Sequence, residues 1–167
     1  FVVITQHLSS SDREKFSDFQ KTTTNLILHS AIPYEDLFIY MRIADVLLLP
    51  LYHELWEPKV TGNSFSNSHY FDMIIPSKLY TYLASGVPVL ATNFRGIRKL
   101  VDDNINGILA SRNNVDDFID KALELLHNKK LRKQLGAKGR ESIKEKYSWK
   151  TVSNTLSQVY EDVLTKN

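Results

Sequence analysis

The sequence predicts a parallel α/β fold: a doubly wound sheet with helices on both faces, followed by C-terminal helices. Three observations carry that expectation. Short apolar runs recur through the first two thirds of the chain, at residues 1–5, 26–29, 45–51, 87–91 and 108–110. They are continuous rather than alternating, as strands buried on both faces require. Helical patterns lie between them, and a parallel strand pair needs a crossover long enough to hold a helix.

Each element has a local reason. Residues 12–20 carry Phe16 and Phe19 on one helical face, and 34–43 carry Leu37, Phe38 and Met41. Residues 77–85 form a short helix behind Pro76, closed by Gly86, which suits a left-handed end. Asn114 is placed to cap a helix bearing Val115, Phe118, Ile119, Ala122, Leu123 and Leu126 at three- and four-residue spacing. The polar, basic stretches 130–135 and 140–146 read as helical. Ser148 then caps a last helix with Trp149, Val152, Leu156, Val159, Tyr160 and Val163. Residues 53–72 fit no element. A loop that long inside a domain is usually functional or disordered. It follows the carboxyl end of a strand, where open α/β sheets bind ligands.

Composition narrows the function. The 167 residues are 43% hydrophobic and 24% charged, enough apolar mass for one core. With no cysteine there is no disulfide, thiolate metal site or cysteine nucleophile. A formal net charge of +2 is far short of a dedicated nucleic-acid binder, so no nucleic-acid partner is expected. No apolar run reaches the ~18 residues that span a bilayer. The chain opens on Phe1, directly into a strand-like run, and reads as cut from something longer.

The stretch 75–92 holds the densest chemistry. Behind Pro76, a helix start presents the backbone N–H groups of Ser77, Lys78 and Leu79, whose partial positive charge makes an anion site. Lys78 adds a full charge and Ser77 a hydroxyl. Thr81 lies one turn on, on the same side.

These residues resemble the donor-binding signature of GT-B glycosyltransferases, in particular the GT4-like group. The pattern Pro-x-Lys-x-x-Glu-Tyr-x-Ala-x-Gly-x-Pro-Val is met in register by Pro76, Lys78, Tyr82, Ala84, Gly86, Pro88 and Val89. The segment from Ala44 and Asp45 to Pro50 is similar to the family's strand. Gly96-Ile97, Leu100-Val101 and Asn106-Gly107-Ile108-Leu109 follow its next segment, and Ser148-Trp149 resembles the opening of its last helix.

The resemblance implies a Rossmann-like domain over residues 1–167 that binds a nucleoside-diphosphate sugar, a UDP-sugar first among them. The sugar would go to a polysaccharide or glycoconjugate acceptor. The family's first strand–helix unit and its N-terminal acceptor domain are not seen in this sequence. The acceptor, a glycan or lipid-linked sugar, would be held by that other domain, and this stretch alone would be inactive. Ser77, Lys78, Leu79 and Thr81 would bind the donor diphosphate, Ala31 and Ile32 the nucleobase, and Tyr52, His53 and Arg95 the sugar side. No catalytic residue is assigned within the chain. No cofactor is expected, because the nucleotide sugar is a substrate and many members of this fold need no metal. The histidines show no metal-ligand spacing.

Two positions depart from the family. Where many members carry two glutamates with seven residues between them, this chain has Met73 and Thr81, with Asp72 beside the first as a displaced carboxylate. The departure keeps open a non-catalytic glycosyltransferase-like scaffold. The other alternative, a UDP-sugar epimerase of the same architecture, would need cleft carboxylates that this sequence does not offer in recognisable spacing. The basic run from Lys129 to Lys146 reads as solvated helix surface, with peripheral membrane contact as its alternative. A cytoplasmic location, with membrane association as a further option, is the matching expectation.

Overall fold

A computed structural model describes residues 2–4, 9–29, 32–51 and 72–165. The chain divides into two units, Phe1–Tyr40 and Met41–Asn167, each described by itself.

In the first unit, β1 (Val2–Ile4) pairs in parallel with β2 (Ile27–His29), Val2 opposite Ile27 and Ile4 opposite His29. The crossover is α1 (Ser10–Thr22). It opens where the Ser9 hydroxyl accepts the Asp12 N–H at 3.0 Å, satisfying one of the amides a helix start leaves open. Phe19 on this helix is exposed rather than core-facing. After β2, α2 (Tyr34–Ile43) begins at the expected residue, and its Tyr40 ring meets the His29 ring edge-on at 5.5 Å.

The second unit carries a three-stranded parallel sheet in the order β3 (Leu47–Leu49), β4 (Val89–Thr92), β5 (Ile108–Ala110). Leu48 lies opposite Leu90, and Ala91 opposite Leu109. All four residues of β4 are buried. Successive side chains point to opposite faces, so both faces of that strand are covered, which explains the continuous apolar run. Helix α3 (Ser77–Ser85) lies between β3 and β4 in the chain, and α4 (Val115–His127) follows β5. Phe118 and Leu125 of α4 meet Leu90, Ile108 and Ala110 of the sheet, together with Leu135, in one buried cluster. Asn114 caps α4 as expected, its side chain accepting the Asp117 N–H at 3.0 Å.

The two basic stretches expected near the end are one helix, α5 (Lys129–Tyr147). Gly136 and Gly139 do not break it, because both are buried against neighbours that leave no room for a side chain. A Cβ on Gly136 would stand 2.1 Å from the Gly86 carbonyl oxygen, and one on Gly139 3.1 Å from that of Asn106. The basic run is also less free than its composition suggests. Arg132 donates to the last carbonyls of α4, at 2.7 Å to Leu125, and pairs with Asp45 at 3.0 Å. The last helix, α6 (Trp149–Leu164), is capped by Ser148, whose hydroxyl accepts the Thr151 N–H at 3.2 Å. Among the described residues no helix is long and apolar enough to cross a membrane.

Candidate functional site

The direction of the strands fixes where α3 begins. At the amino ends of β3 and β4 the Leu47 N–H donates to the Pro88 carbonyl at 2.9 Å. At their carboxyl ends the Leu51 N–H donates to the buried Thr92 hydroxyl at 3.0 Å. Helix α3 ends at Gly86, just before β4 starts, so it runs antiparallel to the strands. Its first turn therefore lies at the carboxyl edge of the sheet, where such folds bind ligands.

Pro76 occupies the N-cap position with extended backbone, φ −61° and ψ 131°, and has no side chain that can cap. The first turn contains no acidic residue. Among the described residues no group accepts the Ser77 or Lys78 N–H, and both side chains are exposed. The Leu79 N–H donates to the Pro76 carbonyl at 2.9 Å, and its side chain is fully buried. Leu79 thus anchors the helix, while Ser77 and Lys78 leave two donors and an ammonium open. Thr81 is half-buried one turn further on. At the far end Gly86 adopts φ +79° and its N–H returns to Leu83 O, the left-handed stop expected for glycine.

A polar network joins this start to the strand ends. The Asp72 carboxylate accepts the Arg95 N–H at 2.8 Å and pairs with the Arg112 guanidinium. The Asp72 carbonyl accepts the Gly96 N–H at 2.6 Å. Gly96 is pressed against the backbone at Ile74, where a Cβ would fall 2.2 Å from the carbonyl oxygen. Arg112 also donates through Nε to the Asn93 carbonyl at 2.7 Å and lies 4.7 Å from the centre of the buried Phe94 ring. Arg98 reaches the Asn93 side chain at 2.7 Å. Burial alone would raise the Asp72 carboxyl. The Arg95 N–H and the Arg112 charge outweigh that and hold it below the ordinary aspartate range. Within α3, burial pushes the Tyr82 phenol up.

Ser77, Lys78 and Thr81 therefore share the opening turns of α3. Arg95 is tied to the segment just before them through its backbone, with its side chain exposed. Ile32 is half-buried in the first unit. Ala31, Tyr52, His53 and the loop 53–71 lie outside the described residues. Arg112 was not singled out from the sequence. Its position two residues beyond β5, at the binding edge of a parallel sheet, is the signal that could have found it. Among the described residues no three side chains are grouped to hold a metal ion.

The architecture is a parallel α/β arrangement with an uncapped helix start at the carboxyl edge of its sheet. Residues 64–142 match the model for "Glycosyl transferases group 1". An uncharacterized glycosyltransferase of Methanocaldococcus jannaschii is 42% identical over 81 residues, which are 48% of this chain and 23% of that protein. The chain thus spans about a quarter of that relative's length. Sucrose-phosphate synthase from Thermosynechococcus elongatus shares the fold over 99% of this chain and 39% of its own, with a TM-score of 0.71 at 17% identity. HepE of Anabaena, solved in complex with UDP, matches 96% of this chain and 40% of its own, with a TM-score of 0.68 at 10% identity.

Proposed function

We propose that this chain is the donor-binding part of a glycosyltransferase that moves a hexose-type sugar from a UDP-sugar to a polysaccharide or glycoconjugate acceptor. The observation that carries the reading is the uncapped start of α3, with the Ser77 and Lys78 amides open beside an exposed ammonium. A diphosphate needs such donors. When the glycosidic bond to the nucleotide breaks, negative charge grows on the departing phosphate oxygens. Fixed N–H dipoles and the Lys78 charge would stabilise that charge more than they stabilise the intact donor, and this difference lowers the barrier. The family match, and a neighbouring fold solved with UDP, support the same assignment. In this reading Thr81 contributes a hydroxyl to the diphosphate or ribose. Ala31 and Ile32 meet the base, and Tyr52, His53 and Arg95 line the sugar side. No metal is required. The acceptor is held by a part of the protein outside this chain, which works in the cytoplasm, with peripheral membrane contact where the acceptor is lipid-linked.

One observation favours a second reading, a non-catalytic scaffold of the same fold: Met73 and Thr81 stand where carboxylates are common in the family. Calorimetric titration of UDP into the complete protein, followed by assay of UDP release from UDP-sugars, separates the two. The donor reading expects saturable UDP binding, weakened in Lys78→Ala, and acceptor-dependent UDP release. Absence of any nucleotide binding supports the scaffold. Interconversion of UDP-sugars without an acceptor would instead indicate an epimerase.

A further inference from the structure

Three segments distant in sequence meet at the carboxyl edge of the β3–β4–β5 sheet: residues 72–76 leading into α3, residues 92–98 beyond β4, and residues 110–112 beyond β5. Arg112 touches all three. It belongs to the third, donates to the Asn93 carbonyl and stacks on Phe94 of the second, and pairs with Asp72 of the first. Asp72 in turn grips the second segment twice, through its carboxylate on the Arg95 N–H and its carbonyl on the Gly96 N–H. Between Asp72 and the first helical residue, Ser77, there are only four residues, one of them a proline with restricted φ. Wherever Asp72 is held, the start of α3 is held with it.

We propose that the Asp72–Arg112 pair is a positioning latch that fixes the open end of α3, and so the Ser77 and Lys78 donors, on the binding edge of the sheet. This rests on the donor-site reading above and deepens it. The carboxylate is used as a structural anchor, facing a guanidinium and a backbone amide rather than a ligand. The pair is partly exposed, 41% at Arg112 and 21% at Asp72, so its contribution to global stability is small. Its effect falls on the geometry of donor binding, where small misplacements of a charged contact weaken affinity severalfold.

The test uses the complete protein with UDP and a UDP-sugar as probes. Asp72→Asn keeps an acceptor for the Arg95 N–H and removes the charge pairing. Arg112→Met removes the pairing and the bond to Asn93, and Arg112→Lys restores the charge alone. The latch predicts a donor KM raised about threefold in Asp72→Asn and about tenfold in Arg112→Met, with Arg112→Lys between wild type and Arg112→Met. Acceptor KM stays unchanged and Tm shifts by no more than a few degrees. Hydrogen exchange at the Arg95 and Gly96 amides quickens in Arg112→Met. Variants with wild-type UDP affinity and donor KM overturn the latch while leaving the donor site standing. A fall in kcat with donor KM unmoved also overturns it, since it would place the pair in the chemical step. If wild-type protein binds neither UDP nor the UDP-sugar, the donor reading fails and the latch falls with it.

Discussion

At its C-terminal end, α3 stops on Gly86 in the left-handed region, with the backbone of Gly136 pressed against it and Ser85 buried beside it. At its N-terminal end the same nine-residue helix starts on Pro76, uncapped, with two amides and the Ser77 and Lys78 side chains open. At one end the Gly86 N–H and the Ser85 hydroxyl are both bonded, and Gly136 packs closely against the backbone. The other carries unmatched donors at the edge of a parallel sheet. Unmatched helix-start amides lower stability unless something binds them. With the donor reading proposed above, the contrast gives stability to the closed end and binding to the open one, and substitutions at either end can break that division.

The largest effect is expected at the closed end. In Gly136→Ala a better helix former replaces glycine, which by propensity alone would stabilise by about 1 kcal/mol. The new Cβ meets the Gly86 carbonyl at 2.1 Å, so the clash prevails and the net result is a destabilisation of about 3 kcal/mol. Urea denaturation measures it, and a gain in stability would show that the contact is absent. Next comes Lys78→Ala at the open end. Loss of a charged contact to a phosphate is worth about 2 kcal/mol, or roughly 30-fold in UDP affinity. Because the side chain is exposed, the change in folding stability stays within about 0.5 kcal/mol. If Lys78→Ala instead unfolds the protein at unchanged affinity, the division is reversed. Gly86→Ala comes third, at about 1 kcal/mol, because φ +79° strains any residue with a Cβ while the nearest neighbour is the flexible Arg140 side chain at 3.5 Å.

How much of this was legible in the sequence follows from the range of each interaction. Helices 34–43 and 77–85 were readable because their punctuation is local: Pro76 and Gly86 set the backbone at the ends of α3. Asn114 and Ser148 announced their helices through side-chain caps three residues long. The unbroken α5 was not readable, because glycine counts against a helix locally, while its close approach to Gly86 and Asn106 is a tertiary fact. Arg112 was missed for the same reason: its partner Asp72 lies 40 residues away, and nothing in the local pattern of either residue points to the other. The helix start at Ser77 was readable because Pro76 marks it locally, and its use as an anion site is the reading proposed above. For Ala31, Tyr52 and His53, which lie outside the described residues, the reading remains a sequence reading.

The smallest effect is expected at the carboxylate that ties the segment before α3 to the strand ends. Asp72 titrates below its ordinary value of 3.8 in the folded chain. A depressed carboxyl adds stability that is fully present above the unfolded pKa and is lost as pH falls through the folded one. The Tm difference between wild type and Asp72→Asn should therefore be constant from about pH 7 down to about pH 5 and shrink on going below 3.8. For a partly exposed pair the stability behind that difference should amount to no more than about 1 kcal/mol. A difference that widens toward low pH would mean that Asp72 is not held as the anion.

The division between a closed and an open end is tested most directly by recording amide NMR spectra of the protein during titration with UDP. The account predicts saturable shifts largest at Ser77 and Lys78, with Gly86 and Gly136 still. Shifts centred on Gly86, or none near Ser77 despite binding, would contradict it.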